Sequence, residues 1–445
     1  MKLFDFKYTR QSIGIFLVFM GSPLIFFFKE TLGFGGSSAF TVAGFCSGFV
    51  FMVSTDTFKK FYKLNTPIFR LGLIFTLISL IYFYAYNEVY TDSYIVGRDI
   101  ANYILIAVFF FMLVSVPNEV KDYFLPVTVA LTFLGSICLI YSMATNPLFV
   151  LGQRATVVFG DGTSASNGNP HVYARNAFAG IFASYFMFQT RNSLWKLFCI
   201  ANFLISLAIL VMAQVRTILL AFFMAVALYV YYNSSPSSIK NAIKGFFSPR
   251  NILIMLLLFA GVVYYFMTHQ QLLDILINYY DNSSTALTKA ILTAAGMADE
   301  KTIDYSAMGR VGNFEFFKSI LYGEPQSLIL GKGYRFWYMD MPIVEALLDY
   351  GIIGLWSFGL MNLLILKESL KAMKARNNPF TMFLAYFYLT YFLGLFTGGR
   401  PNDTPYWFVF AVMIRFMGVT YLDLLPKGTT SSVENSNPTS PATQV

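Results

Sequence analysis

An almost unbroken apolar run extends from Leu194 to Tyr232. At about 1.5 Å per residue, one helix of that length would far exceed the roughly 30 Å hydrocarbon core of a bilayer. The run is therefore expected to fold back as two spans, turning at Gln214-Val215-Arg216-Thr217. Arg216 then lies at a membrane boundary. An arginine at bilayer depth costs roughly 2.5–3.5 kcal/mol on insertion scales, a cost offset either by snorkelling to headgroups or by an anionic partner. Hydrophobic residues make up 56% of the chain and charged residues 12%, too apolar a balance for a soluble globule. Further apolar segments place twelve spans near 11–28, 34–54, 70–87, 99–116, 125–144, 173–190, 195–213, 217–232, 251–267, 343–366, 380–397 and 407–425. The expected fold is all-α, a polytopic membrane protein.

The net charge of +8 does not point to nucleic acid, because the excess Lys and Arg falls in short alternating loops. Lys59, Lys60, Lys63 and Arg70 mark one such loop, Arg191 and Lys196 a second, Lys240, Lys244 and Arg250 a third, and Lys367, Lys371, Lys374 and Arg376 a fourth. All fall on one side of an even count of spans, which puts both termini in the cytoplasm. No cleavable signal peptide is evident after Lys2, Lys7 and Arg10, so the first apolar stretch is expected to stay as a span. Cys46, Cys138 and Cys199 sit inside apolar runs with no metal-ligand spacing, and read as packing residues. The chain divides into spans one to nine (1–267), a large helical loop (268–342), spans ten to twelve (343–425) and a Ser/Thr/Asn/Pro-rich tail (426–445) expected to be disordered.

The face opposite the basic loops carries the unusual features: loops at 145–172, 213–217, 268–342 and 398–406. Within the third, Ser283 or Ser284 is expected to cap a helix through Leu287, Ile291 and Leu292 to Gly296. A second helix should run from about Ser306 to Tyr322, with Arg310 near its positive end and Phe314, Phe317 and Leu321 on one apolar face. Leu330-Gly331-Lys332-Gly333-Tyr334 follows, its glycines allowing main-chain N–H groups to approach a ligand. Then come three carboxylates, Asp340, Glu345 and Asp349, the last two on one helical face. Carboxylates in an apolar zone demand partners, either structural ion pairs with Arg310, Arg335 or Arg400, or a substrate.

The order of these pieces resembles the O-antigen ligase and polymerase superfamily of bacterial membrane glycosyltransferases over roughly residues 145 to 410. The matching pieces are Asn169-Pro170 with Arg175-Asn176-Ala177-Phe178-Ala179, the Gln214-Val215-Arg216-Thr217 turn, Gly309-Arg310 before an aromatic helix, Leu330-Gly331-Lys332-Gly333, and Asp340 a short way before Tyr350-Gly351-Ile352-Ile353-Gly354. The resemblance implies transfer of a polyprenyl-diphosphate-linked glycan at the periplasmic face of the inner membrane. It carries the family's arginines onto Arg216 and Arg310, and an acid of the last external loop onto Asp403. Family ligases carry His-Asn where this chain has Asp340-Met341, and neither His171 nor His269 stands at that position. That departure shifts the expectation from ligation onto lipid A core toward repeat-unit polymerisation for O-antigen, capsule or exopolysaccharide.

Residue chemistry supports the same assignment. A sugar bearing a diphosphate already has a good leaving group, so the protein needs cations for the developing charge and a base for the incoming hydroxyl. Arginine suits the first task through its planar two-donor fork. The chain has no Asp-x-Asp pair to hold a divalent ion beside the diphosphate, so a metal-independent, inverting enzyme without cofactor is expected. Asp340 is the expected base, Arg216 and Arg310 the diphosphate clamp, and Arg175, Arg335, Glu345, Arg400 and Asp403 the substrate-binding set. The expected partners are the lipid-linked donor and acceptor, the bilayer and a chain-length regulator. A lipid-linked oligosaccharide flippase is the alternative from another class, although the chain shows no internal repeat.

Overall fold

Among the described residues, each apolar segment expected to span is mostly helical. The structure, a computed structural model, describes residues 5–34, 38–55, 57–85, 93–147, 149, 153–159, 166–188, 193–234, 244, 248–268, isolated positions from 270 to 297, and 305–419. The expected span ends at 35–37, 86–87, 189–190 and 420–425 lie outside the described residues, as do Arg191, Lys240, Ser283, Leu287, Ile291, Gly296 and the tail.

In chain order the helices are α1 (Phe6–Met20), α2 (Ser22–Phe26), α3 (Ser38–Met52), α4 (Thr66–Ala85), α5 (Ser93–Ser115), α6 (Lys121–Thr145), α7 (Pro170–Phe188), α8 (Ser193–Met212) and α9 (Arg216–Asn233). They continue with α10 (Pro249–Thr268), α11 (Tyr305–Gly323), α12 (Ser327–Leu330), α13 (Pro342–Ala375), α14 (Pro379–Gly394) and α15 (Thr404–Phe416). A two-residue antiparallel ribbon pairs Val158 with Asn167 and Phe159 with Ser166 ahead of α7. Among the described residues six helices are long and apolar enough to cross a membrane by themselves, and α1 with α2 adds a seventh if its 73° bend is counted within one span. The fold is compatible with a multi-pass helical membrane protein.

The long apolar run divides as expected, α8 and α9 meeting at a turn in which Gln214 takes a left-handed φ of 50°. Helix α14 is the central post, buried along nearly its whole length and packed by α7, α9 and α13. Apolar character on every side is what a helix enclosed by others requires. Peripheral helices instead leave large apolar side chains outward, among them Leu194, Leu197, Leu220 and Phe223. Helices α6, α7 and α8 join through small and amide residues: the Asn176 side chain donates to the Thr132 carbonyl at 3.1 Å, and Asn202 donates to Ser184 at 2.9 Å. With no hydrophobic driving force between helices in lipid, such close contacts and hydrogen bonds hold them together. Asn176, part of the family-like segment, is thereby structural. The three cysteines are free, and Cys138 and Cys199 are buried.

Two details of the expected loop helices differ. Ser284 is itself helical and its hydroxyl donates to the Asp281 carbonyl, so it is not a cap. The second helix, α11, forms almost where expected, but Phe316, Phe317 and Ile320 make its packed face, while Phe314 and Leu321 remain exposed. The reason is the partner: Leu328, Met339 and Leu348 offer a pocket rotated around the helix from the expected stripe.

Gly351 breaks α13, with φ 67° and ψ −162°, a conformation open in practice only to glycine. The break frees carbonyls that the preceding loop uses: Lys332 N–H donates to the Leu348 carbonyl at 2.7 Å and Gly333 N–H to that of Asp349 at 3.1 Å. A Cβ on Gly351 would overlap the Ile329 carbonyl, and one on Gly331 would overlap that of Asp349. The two glycine motifs of the sequence are therefore two halves of one backbone-to-backbone contact. Gly351→Ala is expected to cost at least about 2 kcal/mol, seen as a lower Tm of the purified protein; a Tm equal to the parent's would mean the helix is not broken there.

At the other end of the bundle, Arg415 is wholly buried. Its guanidinium donates to the carbonyls of Leu113, Lys63 and Val116 and to the Asn118 side chain at 2.7–3.2 Å, tying α15 to the ends of α4 and α5. Arg415→Met strands those acceptors and is expected to cost on the order of 3 kcal/mol, again read as Tm. An unchanged Tm would show the bonds add nothing.

Candidate functional site

Three helix N-termini meet at the end of the bundle away from the lysine-rich loops. Helix α7 begins with Asn169 accepting the His171 N–H through its side chain at 3.0 Å and Pro170 at the first helical position, a favourable start for a helix. Helix α9 begins beside it with Arg216 and Thr217, and α15 with Thr404 and Pro405. Thr217 donates to Thr397 at 3.1 Å, tying α9 to the segment after α14. Between these ends lies a cavity of about 430 Å³, lined from α7 by Asn169, His171 and Arg175, from α9 by Thr217 and Ile218, and from α11 by Arg310. Tyr338 and Asp340, Gly394 and Thr397 to Gly399, and Asp403, Pro405 and Tyr406 complete the wall. The volume falls in the range of small-molecule sites, and helix N-termini pointing into it favour an anion.

Arg310 and Asp340 are brought together. Arg310 Nε donates to Asp340 Oδ2 at 3.1 Å, and the Tyr338 hydroxyl donates to Asp340 Oδ1 at 2.8 Å. Asp340 holds a left-handed φ of 57°, which turns its side chain toward Gly398. Burial, followed by the Asp340 contact, pushes the Tyr338 phenol up to about 12, so the hydroxyl stays protonated and donating. Only the Nε of Arg310 is engaged among the described residues, leaving its two Nη groups available to a ligand.

Arg175 is the most informative cation. Its guanidinium stacks 4.2 Å above the Tyr391 ring, and its Nε is buried without a hydrogen-bond partner. No carboxylate pairs with it among the described residues. A partly buried cation in that condition is expected to seek an anion.

The remaining expected residues have other positions. Glu345, fully buried, accepts the Met339 N–H at 3.0 Å and Arg400 Nη1 at 3.0 Å. Asp349, also fully buried, accepts the N–H groups of Arg335 and Phe336 at 3.0 and 3.1 Å. These two acids thus shape the loop that carries Asp340. Arg335 lies 3.4 Å from Asp99 and 3.8 Å from Asp403, behind the cavity wall rather than in it. Arg400 stacks on Tyr338 and is likewise outside the wall. Asp403 does line it; burial pushes its carboxyl up, against the Arg400 main-chain N–H and the Arg335 and Arg400 charges. Arg216 is exposed at the rim, not in the wall, because the two residues after it are the ones turned inward.

His171 is the residue that sequence position hid, since it precedes Asp340 by a long stretch of chain and shares no motif with it. Its one signal was adjacency to the Asn169-Pro170 helix start. Among the described residues no group of three or more His, Cys, Asp and Glu side chains is arranged to hold a metal ion. Compared with known proteins, the chain matches no family model and no curated protein.

Proposed function

We propose that the protein is a membrane glycosyltransferase that polymerises polyprenyl-diphosphate-linked oligosaccharide units. In this reading the chain crosses a bacterial inner membrane twelve times, both termini are cytoplasmic and the cavity opens to the periplasm. The carrying observation is Arg175, a cation without a carboxylate partner among the described residues, in the same cavity as the free donors of Arg310. A diphosphate supplies the anion both lack. The position of the cavity at the end opposite the basic loops supports an outward opening.

The reaction follows from these groups. The acceptor sugar hydroxyl attacks the anomeric carbon of the donor while the bond to the diphosphate oxygen breaks. The electron pair leaves with the phosphate, where Arg175, Arg310 and the helix N-termini hold the added charge. A base in the cavity takes the hydroxyl proton, Asp340 being the expectation from sequence. Direct displacement inverts the anomeric centre. Arginines stand where other transferases use a divalent ion, so EDTA is expected to leave the rate unchanged. The glycan's own chemistry is unassigned, but Tyr338 and Trp337, both part-exposed beside the cavity loop, offer rings for sugar stacking.

The test uses purified protein and lipid-diphosphate repeat units, with and without lipid A core, resolved on a gel. A ladder from the units alone is the expected product; a shifted core band would make the protein a ligase, and no product from either would overturn glycosyl transfer. Arg175→Ala and Arg310→Ala are each expected to lower turnover by about 100-fold or more, with poor rescue by lysine, which lacks the fork. Arg216→Ala, at the exposed rim, should cost less. Full activity in both of the first two variants would remove the clamp.

A further inference from the structure

Asp340 is poorly placed to take a proton. One carboxylate oxygen accepts from Arg310 and the other from the Tyr338 hydroxyl, so both already serve as acceptors within the protein. His171 lines the same cavity from the mouth of α7, ahead of the apolar segment at 173–190, with its main chain fixed by the Asn169 cap. We propose that His171 accepts the proton of the attacking sugar hydroxyl, and that Asp340 is a positioning residue that aims Arg310; the proposal rests on the glycosyl-transfer reading above.

In the step, the hydroxyl oxygen forms the new bond to the anomeric carbon and its proton moves to a ring nitrogen of His171. The old carbon–oxygen bond breaks toward the diphosphate, which departs with one more negative charge. The imidazolium then faces that anion and later releases its proton to water. No oxidant, reductant or further reactant is needed.

The surrounding charges make this base depend on its substrate. Arg175 on the same helix, Arg154 from the loop before the ribbon, Arg310 from α11 and Asp340 from the loop before α13 face His171. Burial first, then Arg175 and Arg154, push the imidazole down to about 4, against the upward pull of Asp340 and with Arg310 adding to the depression. Unliganded His171 is therefore neutral throughout the physiological range, an open proton acceptor but a weak one. A diphosphate between Arg175 and Arg310 cancels their repulsion and raises the basicity of the imidazole, so the base strengthens only when the donor is present.

The chain contains two histidines, so His269→Gln leaves His171 as the sole imidazole. The full-length variant, labelled with ¹³C-histidine in nanodiscs, is titrated with and without undecaprenyl diphosphate, whose ³¹P signal reports binding. The expected midpoint lies near 4 without the lipid and at least about one pH unit higher with it. In turnover assays His171→Gln should lower kcat by about 100-fold to 10,000-fold with little change in KM, and erase the acid limb of the pH profile. Asp340→Asn should keep that limb. A bound lipid with an unmoved His171 midpoint, or an acid limb lost with Asp340→Asn and kept with His171→Gln, overturns this base while leaving glycosyl transfer standing. Failure of the lipid to bind overturns both.

Discussion

The candidate site depends on two buried carboxylates being spent on main chain. Glu345 and Asp349, one turn apart at the start of α13, accept three N–H groups of residues 335–339, and Glu345 also holds Arg400. Burying a carboxylate costs several kcal/mol unless its lone pairs are matched, and here each is matched by donors with fixed geometry. The Asp340 loop therefore has one shape. Loss of either acid would leave N–H groups stranded, and loss of Glu345 would also release Arg400, which braces the loop before α15 and stacks on Tyr338. A catalytic reading of these acids would require the same oxygens to serve a substrate, and their engagement leaves no room for that.

The break at Gly351 is the complement of that clamp. An unbroken α13 would satisfy the Leu348 and Asp349 carbonyls internally, and the loop at 331–333 would have no docking edge. Because the helix parts there, its outer turn belongs to the site and its remainder to the bundle. Two layers of hydrogen bonding, side chain to main chain and main chain to main chain, then hold the segment 332–339 that leads into Asp340. Tyr334 extends the hold by donating to Asp99 on α5 at 3.2 Å, so the loop is anchored to the far wall as well.

Much of this was legible in the sequence and some was not, for identifiable reasons. Apolar helices are written locally, in runs of apolar residues, and each expected run is mostly helical over its described residues. The Gln214 turn followed from length alone. The packed face of α11 could not be read, since Phe314, Phe316, Phe317 and Leu321 are all apolar and only the position of Met339 and Leu348 selects among them. Arg415 carried a readable signal, a charge inside the last apolar run, but three of its partners are main-chain carbonyls that any sequence possesses. Glu345 and Asp349 were legible as acids needing partners; that main-chain N–H groups would supply most of them depends on the loop's shape. His171 is the clearest case of contact across long sequence separation, where no local pattern carries the information.

The electrostatics of the cavity explain why arginine count alone is a poor guide. Arg335 and Arg400 look, by residue type, as fit to bind phosphate as Arg175 or Arg310. Yet each already faces a buried carboxylate, and removing such a partnership would leave an acid uncompensated in the interior. What distinguishes Arg175 is an aromatic ring beneath it, with no carboxylate paired to the guanidinium among the described residues. Tyr391 supports the guanidinium through its face without neutralising the charge, so the cation is held in place and still attracts an anion. Arg310 reaches a similar state by another route, using one nitrogen on Asp340 and keeping the two-pronged end open. A site for a doubly charged headgroup needs cations that are fixed but not satisfied, and both arginines that line the cavity among the described residues meet these conditions.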